Sequence, residues 1–176
     1  QWNELPSNYA VELTELSNGE RVDSRIYPAL QEMFDDARAQ GVYPIVRDGY
    51  RTGEEQQDLM DEKIQAYRSE GYSRSDAKKV AEDWVALPGT SEHQSGLCCD
   101  LHNLPAASQA FANTDEYSRL LQNCAKFGFI LRYPKNKTDK TNIMFEPWHY
   151  RFVGRYHAER IMQEGLCLEE YMEMLD

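Results

Sequence analysis

The sequence has no apolar run near the roughly 20 residues that a membrane-spanning helix needs. It is also poor in basic residues: 19 lysines and arginines stand against 30 aspartates and glutamates, which gives a net charge of -11. Because proteins bind nucleic-acid backbones through clustered positive charge, we expect no nucleic-acid partner. A signal peptide, an initiating methionine, repeats and linkers are all missing. With 41% hydrophobic residues in 176, the chain is interpreted as one folded domain, residues 1–176, trimmed of any targeting segment.

Cysteine is scarce, and its spacing excludes one common kind of site. The four cysteines contain no CxxC pair, so a structural zinc site built from four thiolates is not expected. Cys98 and Cys99 are neighbours in a predicted strand, and their side chains should therefore point to opposite faces. We interpret the cysteines as small buried residues. A disulfide between Cys124 and Cys167 stays open.

Hydrophobic periodicity predicts an alternation of helices and short strands. An apolar stripe from Ile26 to Ala37 predicts a helix that faces the core, and Thr52 with Glu55 forms a capping box at the start of the next helix. The predicted helices cover residues 25–40, 53–69, 73–85, 114–126, 154–164 and 166–175, the last of them acidic. The predicted strands cover residues 42–46, 98–101, 129–133 and 143–145, with a continuation over 148–153 past a bulge at Pro147. A hairpin is predicted over 9–22, and residues 1–9 are expected to be extended.

The stretch SEHQSGLCCD joins a histidine and a carboxylate across a glycine. His93 and Asp100 lie seven residues apart, and the chain later supplies Glu146 and His149. Two imidazoles and one carboxylate can bind Zn²⁺ and leave a fourth position open for water. Pro147 restricts the backbone between Glu146 and His149, so their relative direction is fixed, and Glu146 can then act as a general base on that water. The sequence therefore predicts a zinc hydrolase with one ion on His93, Asp100 and His149.

Arg51 lies where a predicted strand ends and a helix begins, which is a common place for functional side chains. Gln56 falls in the first turn of that helix and could lie near it. Taken alone, a surface arginine on a turn and a solvated glutamine are the commoner interpretation. A lone histidine is also more often structural than a ligand, and His102 and His157, which have no partner pattern, are interpreted in that way.

The segments GYRT, SEHQSGLCCD and EPWHYRFVG resemble the VanY family of D-alanyl-D-alanine carboxypeptidases, which belongs to the LAS group of zinc metallopeptidases. The resemblance runs from about Tyr9 to Gly165. It implies an α+β fold in which a small antiparallel sheet bears the zinc site and helices pack around it, as in LAS and hedgehog-like domains.

The resemblance also implies roles for individual residues. Zinc would be bound by His93, Asp100 and His149, and Glu146 would be the catalytic base. The pocket for the terminal residue of the substrate would be lined by Arg51, Gln56 and Ser91, and Trp148 is expected to contribute to the cleft wall. Arg51 could pair with a terminal carboxylate through two hydrogen bonds or stabilise the oxyanion of the tetrahedral intermediate.

Two positions depart from the family pattern. Asp48 stands where relatives usually carry serine before GYR, and Cys98 stands where they often carry alanine. Asp48 could pair with Arg51 and weaken its grip on a carboxylate, which would affect substrate affinity rather than chemistry. Arg132 and Arg151 are reserve candidates for binding the substrate.

The implied function is zinc-dependent removal of the terminal D-alanine from peptidoglycan stem peptides, outside the cytoplasm, by a secreted or surface-anchored protein. The sequence does not separate D,D- from L,D-specificity, and it does not indicate an oligomeric state. Two alternatives stay open. A non-catalytic peptidoglycan-binding domain on the same zinc fold would have no need of Glu146. A D,D-dipeptidase would need a pocket closed by inserted loops, for which residues 71–90 are the place to look.

Overall fold

Two antiparallel sheets and the helices around them form the part of the chain that the computed structural model describes, residues 5–6, 9–105 and 107–176. The strands are β1 Leu13–Glu15, β2 Arg21–Asp23, β3 Ile45–Asp48, β4 Cys98–His102, β5 Phe129–Leu131 and β6 His149–Phe152. The α-helices are α1 Tyr27–Ala39, α2 Gly53–Ser69, α3 Arg74–Glu82, α4 Asp115–Asn123, α5 Thr138–Thr141, α6 Arg155–Glu164 and α7 Leu168–Leu175. Short 3-10 helices cover Glu92–Ser95, Gln109–Asn113 and Cys124–Phe127.

The larger sheet has the strand order β3-β4-β6-β5, and every neighbouring pair is antiparallel. Strands β1 and β2 form a separate hairpin. The predicted α+β fold with a small antiparallel sheet is therefore confirmed. Among the described residues, no helix has both the length and the apolar character that crossing a bilayer requires.

Strand β4 lies inside the larger sheet and separates the core from the opposite face. Cys99 and Leu101 belong to the hydrophobic core, and Asp100 between them points the other way. The adjacent cysteines thus point to opposite faces, as predicted. All four cysteines are buried and free, so Cys124 and Cys167 form no disulfide.

Two helices form for the reasons that the sequence indicated. In α1 the apolar stripe is buried: Leu30, Met33, Phe34 and Ala37. At the start of α2 the Thr52 hydroxyl accepts a hydrogen bond from the Glu55 amide at 3.1 Å, and the Glu55 carboxylate accepts one from the Thr52 amide at 2.7 Å. This capping box fixes where α2 begins, directly after Arg51.

The region before β6 differs from the prediction. No strand forms over residues 143–145, and there is no bulge at Pro147. Instead Glu146–His149 is a tight turn, in which the His149 amide donates to the Glu146 carbonyl at 3.4 Å. Proline favours the second position of such a turn because its φ is fixed near the required value. The turn brings Glu146 back beside His149, which a straight strand would not do.

The bounds of other helices and strands differ from the predicted ones by a few residues. Strand β3 starts at Ile45 rather than at residue 42, and α4 ends at Asn123, where a 3-10 turn continues to Phe127. The polar loop over 134–141 ends in the short helix α5. The prediction of an extended start falls partly on residues 1–4 and 7–8, which lie outside the described residues.

The end of β3 is pressed against the hairpin at Gly49, which gives a test of the fold. A Cβ atom at Gly49 would collide with the backbone carbonyl oxygen of Arg21, to which the Tyr50 amide donates at 2.6 Å. Because backbone cannot move aside as a side chain can, we expect Gly49→Ala to lower the free energy of unfolding by about 3 kcal/mol or more. Urea denaturation measures this.

Gly53→Ala is the matched control. Its Cβ would meet only the Gln94 side-chain nitrogen at 3.4 Å, an ordinary contact, and it would sit at the first position of α2. Alanine is favoured over glycine in helices by up to about 1 kcal/mol, so this variant should be at least as stable as the parent. Equal stability of the two variants would contradict the close approach at Gly49.

Candidate active site

A cleft of about 240 Å³ opens on the face of the larger sheet that is turned away from the core. It brings together all eight residues that the sequence analysis selected. They are Arg51, Gln56, Ser91, His93, Asp100, Glu146, Trp148 and His149. A larger and mostly apolar groove of about 460 Å³ lies beside β6, α6 and α7. The predicted chemistry is therefore concentrated in the smaller cleft.

Three potential metal-ligand atoms meet at the floor of this cleft. Asp100 and His149 are direct partners across β4 and β6. The Asp100 Oδ1 atom lies 3.3 Å from His93 Nε2 and 3.2 Å from His149 Nδ1. Ligand atoms at ~2.0–2.1 Å from a tetrahedral zinc ion are about 3.3 Å apart. These two separations fit a zinc ion that Asp100 shares with each of the two imidazoles.

The Asp100 Oδ1 atom is also buried without a hydrogen-bond donor among the described residues. A buried carboxylate oxygen left without a donor is costly, because it has lost water and gained no partner. A cation between the two imidazoles would satisfy it. This oxygen is thus an observation, independent of the motif, that fits a metal.

The outer nitrogen of each imidazole has a fixed partner. His93 Nδ1 lies 2.7 Å from the Gly49 carbonyl oxygen, and His149 Nε2 lies 2.9 Å from the Glu92 carboxylate. Since both partners are acceptors, the outer nitrogens carry a hydrogen, and in the neutral form of each ring the inner nitrogen is left with a lone pair. Both rings therefore present a metal-binding nitrogen towards Asp100.

Asp100 and Glu146, two of the carboxylates that line the cleft, have opposite pKa shifts. Burial raises the pKa of Asp100, but the nearby His93 and His149 lower it by more, so it lies well below its usual range. Burial raises the pKa of Glu146, and His149 offsets only part of this, so it lies above its usual range. Asp100 is thus suited to remain an ionised ligand, and Glu146 is suited to exchange a proton. The Glu146 Oε2 atom lies 3.5 Å from His149 Nδ1.

Arg51 is held rigidly at one side of the cleft. Asp48 accepts hydrogen bonds from Arg51 Nε at 3.1 Å and Nη2 at 2.6 Å, and the Gln56 amide oxygen accepts one from Nη1 at 2.6 Å. Gln56 in turn donates to the Ala86 carbonyl at 2.7 Å. Of the five N–H hydrogens of a guanidinium, three are used in these contacts, which leaves one on each terminal nitrogen. Asp48 does pair with Arg51, and the arginine keeps two donors.

Two further side chains that could ligate a metal lie beside the predicted ligands. Cys98 is buried against the two histidines, and the ligand atoms of the three residues lie within 4.8 Å of one another. Asp48 has the same relation to His93 and Asp100. The two positions that depart from the family pattern thus both lie beside the metal-binding atoms.

Sequence analysis missed Glu92, an acid at the site that contacts three different side chains. Its side chain is 2% exposed and accepts hydrogen bonds from Arg132 Nε at 3.1 Å, Arg151 Nη1 at 2.6 Å and His149 Nε2. Arg132 and Arg151, the reserve candidates for the substrate, therefore contact Glu92. Two arginines in or directly after short apolar strands imply a buried acidic partner, and that pattern could have led to Glu92.

Several known proteins are similar to this chain. The chain matches the VanY family, described as D-alanyl-D-alanine carboxypeptidase, over residues 19–155. A D-alanyl-D-alanine carboxypeptidase of Enterococcus faecalis is 54% identical over 170 residues, which are 97% of this chain and 62% of that protein. The solved structure of VanYB in complex with D-alanine-D-alanine has a TM-score of 0.88 at 53% identity, covering 99% of this chain and 94% of that chain. A mutant of the vancomycin resistance D,D-pentapeptidase VanY, solved in complex with Zn(II), has a TM-score of 0.86 at 54% identity and covers 97% and 94%.

The matched residues include all eight predicted site residues in the cleft, whereas α7 lies beyond the match. The chain spans 62% of the length of the Enterococcus faecalis relative. On the extent of this match, the chain belongs to the VanY family of D-alanyl-D-alanine carboxypeptidases.

Proposed function

We propose that this chain is a zinc carboxypeptidase that removes the terminal D-alanine from peptidoglycan stem peptides. The observation that carries the proposal is the Asp100 Oδ1 atom, which is buried without a hydrogen-bond donor among the described residues and lies 3.3 and 3.2 Å from two imidazole nitrogens. His93, Asp100 and His149 would hold one zinc ion. The similar VanY proteins solved with Zn(II) and with D-alanine-D-alanine support this assignment.

The chemistry needs a base near the scissile bond. Zinc, when bound, supplies a Lewis acid for the carbonyl and lowers the pKa of a water molecule. Glu146 accepts a proton from the attacking water at its carboxylate and returns it to the nitrogen of the leaving D-alanine as the C–N bond breaks. Its raised pKa suits a group that must both accept and donate. A domain that only binds peptidoglycan would have no use for this partly buried acid.

Recognition of the chain end is assigned to Arg51. Its two remaining N–H donors lie on the terminal nitrogens and match the two oxygens of a carboxylate. Asp48 and Gln56 fix the plane of the guanidinium, so less conformational entropy is lost when the substrate binds. Ser91 adds a neutral hydroxyl and Trp148 adds part of the wall. Asp48 thus orients the Arg51 guanidinium as well as competing with the substrate carboxylate for it.

The substrate also indicates where the protein works. Peptidoglycan lies outside the cytoplasmic membrane, so we place the protein there, either secreted or anchored at the surface. The proposed specificity is D,D, because the similar VanY proteins carry D,D-pentapeptidase and D-alanyl-D-alanine names.

The direct test is to incubate the protein with pentapeptide stems, tetrapeptide stems and the free D-alanine dipeptide, with and without a chelator, and to weigh the products by mass spectrometry. Loss of one D-alanine from the pentapeptide, abolished by the chelator, is the expected result. Cleavage of the tetrapeptide alone would indicate L,D-specificity, and cleavage of the dipeptide would indicate dipeptidase activity. No product from any of the three would favour a binding domain.

Substituting the proposed base separates chemistry from metal binding. Glu146→Gln keeps the size of the side chain but cannot accept a proton, so kcat should fall by about 10²–10⁴-fold. Zinc content, measured by elemental analysis, should stay at one ion per chain. Glu159→Gln, an exposed substitution on α6, serves as the control and should leave kcat unchanged. A near-normal rate in Glu146→Gln would remove its role as the base.

Removing one imidazole tests the metal site. His149→Ala deletes one of three ligands and should leave the purified protein without stoichiometric zinc. His157→Ala is the matched control, since His157 contacts the Tyr171 hydroxyl outside the cleft and should keep the metal. Zinc retained equally by both variants would be incompatible with His149 as a ligand.

Carboxylate recognition is tested by comparing peptides with a free and an amidated C-terminus. Arg51→Ala should reduce kcat/KM for the free peptide by 100-fold or more, on the order of the 2–5 kcal/mol that a paired buried charge is worth. The amidated peptide should be affected far less. Arg47→Ala, a substitution of an exposed arginine on β3, should change neither. An equal loss on both peptides would instead indicate that Arg51 stabilises the oxyanion.

A further inference from the structure

A buried series of charged groups extends from His149 to the C-terminal helix. Glu92 Oε2 contacts His149 Nε2 at 2.9 Å, and Glu92 Oε1 accepts a hydrogen bond from Arg132 Nε at 3.1 Å. Arg132 also donates from its two terminal nitrogens to the Glu169 carboxylate at 2.9 and 2.6 Å. Glu169 lies in the first turn of α7, which follows the residues that match the family, 19–155.

We propose that Glu92 is a positioning residue for the metal ligand His149, and that helix α7 holds Glu92 in place through Glu169 and Arg132. The inference rests on the proposed function, because it requires that His149 Nδ1 binds the metal. It adds a role for a residue and a helix to which the predicted mechanism assigns none.

The contacts of Glu92 leave it little freedom to rotate. One oxygen accepts hydrogen bonds from two guanidinium groups, those of Arg132 and Arg151, and the other faces His149. A charge-assisted hydrogen bond to the outer nitrogen of a metal-binding imidazole fixes its tautomer and orientation and makes the inner nitrogen a stronger ligand. Glu92 also directly precedes His93 in the 3-10 helix. One short helix therefore supplies one ligand and orients another.

Helix α7 adds a negative charge to this group. Arg132 and Arg151 bring two positive charges to Glu92, and Glu169 brings a second negative charge to Arg132. The Arg132 side chain is 2% exposed, whereas that of Glu169 is 31% exposed. A buried arginine is tolerated when acidic partners hold it on its open sides. Glu169 of α7 thus binds the two terminal nitrogens of Arg132, and the Nε atom donates to Glu92.

The neighbouring Glu170 provides a matched comparison within the same turn. It pairs with Lys137 at 2.8 Å and accepts a hydrogen bond from the Cys167 amide at 2.9 Å, so it anchors and caps α7. Glu169 and Glu170 both stabilise the helix, but only Glu169 contacts Arg132 in the described residues. Their substitutions separate helix stability from support of the metal site.

The first experiment measures zinc affinity by competition with a chromophoric chelator. Glu92→Gln alone would leave two arginines facing a neutral group, so the main variant is Glu92→Gln combined with Arg132→Gln, which removes one charge of each sign. We expect its Kd for zinc to rise by about 10–100-fold, while urea denaturation of the metal-free protein stays near that of the parent. In proton NMR of the zinc-loaded protein, the resonance of the His149 Nε2 hydrogen should also move upfield.

The second experiment compares Glu169→Gln with Glu170→Gln. Loss of Glu169 should raise the Kd for zinc by about 2- to 30-fold, in the range of coupling through a charged network. Loss of Glu170 should lower stability without changing the Kd. Because both side chains are partly exposed, these variants are expected to fold, and they decide the matter should the double variant fail to fold.

The outcomes separate this inference from the proposed function. A parent protein that binds no zinc would overturn the proposed function. A parent that binds zinc, with a folded double variant that binds it equally tightly, would overturn only the role of Glu92. Equal Kd values for Glu169→Gln and Glu170→Gln would overturn the role of α7.

Discussion

The antiparallel pairing of β4 with β6 is the constraint on which the site depends. Because Asp100 lies directly opposite His149, their side chains leave the same face of the sheet at close range. The 3-10 helix before β4 brings His93 to the same point. Gathering these groups away from water costs free energy, which a bound cation would recover. The other face of β4 packs into the core with α1, so the hydrophobic core maintains the register that the metal site requires.

Much of this arrangement could be predicted from the sequence because it follows from local patterns. The capping box of Thr52 and Glu55 set the start of α2, and a period of 3.6 residues set the buried face of α1. Alternation along β4 placed Cys98 and Cys99 on opposite faces. The cleft residues could be selected because they occur in short motifs with chemically specific residue types. Their roles remain predictions, although the structure places all eight in one cleft.

The parts that could not be predicted depend on contacts between distant residues. The turn at Glu146–His149 reads as a strand from local composition, since its apolar neighbours are consistent with either structure. Glu92 was missed because its partners lie 40 to 59 positions away, at Arg132, His149 and Arg151. The interpretation of Asp48 from the sequence was also incomplete. Its pairing with Arg51 was foreseen, but the number of donors left on the guanidinium depends on where Gln56 lies.

The segment 49–51 contacts His93 twice. The Gly49 carbonyl accepts a hydrogen bond from the His93 ring at 2.7 Å, and the Arg51 amide donates to the His93 carbonyl at 3.2 Å. One short stretch of backbone therefore sets the distance between a metal-binding ring and the guanidinium. Under the proposed function, Arg51 binds the free C-terminus of the peptide, and this distance places only the last peptide bond at the metal site. An enzyme with this geometry cleaves only at a free C-terminus. It would not cleave a stem peptide whose end is already cross-linked to another peptide.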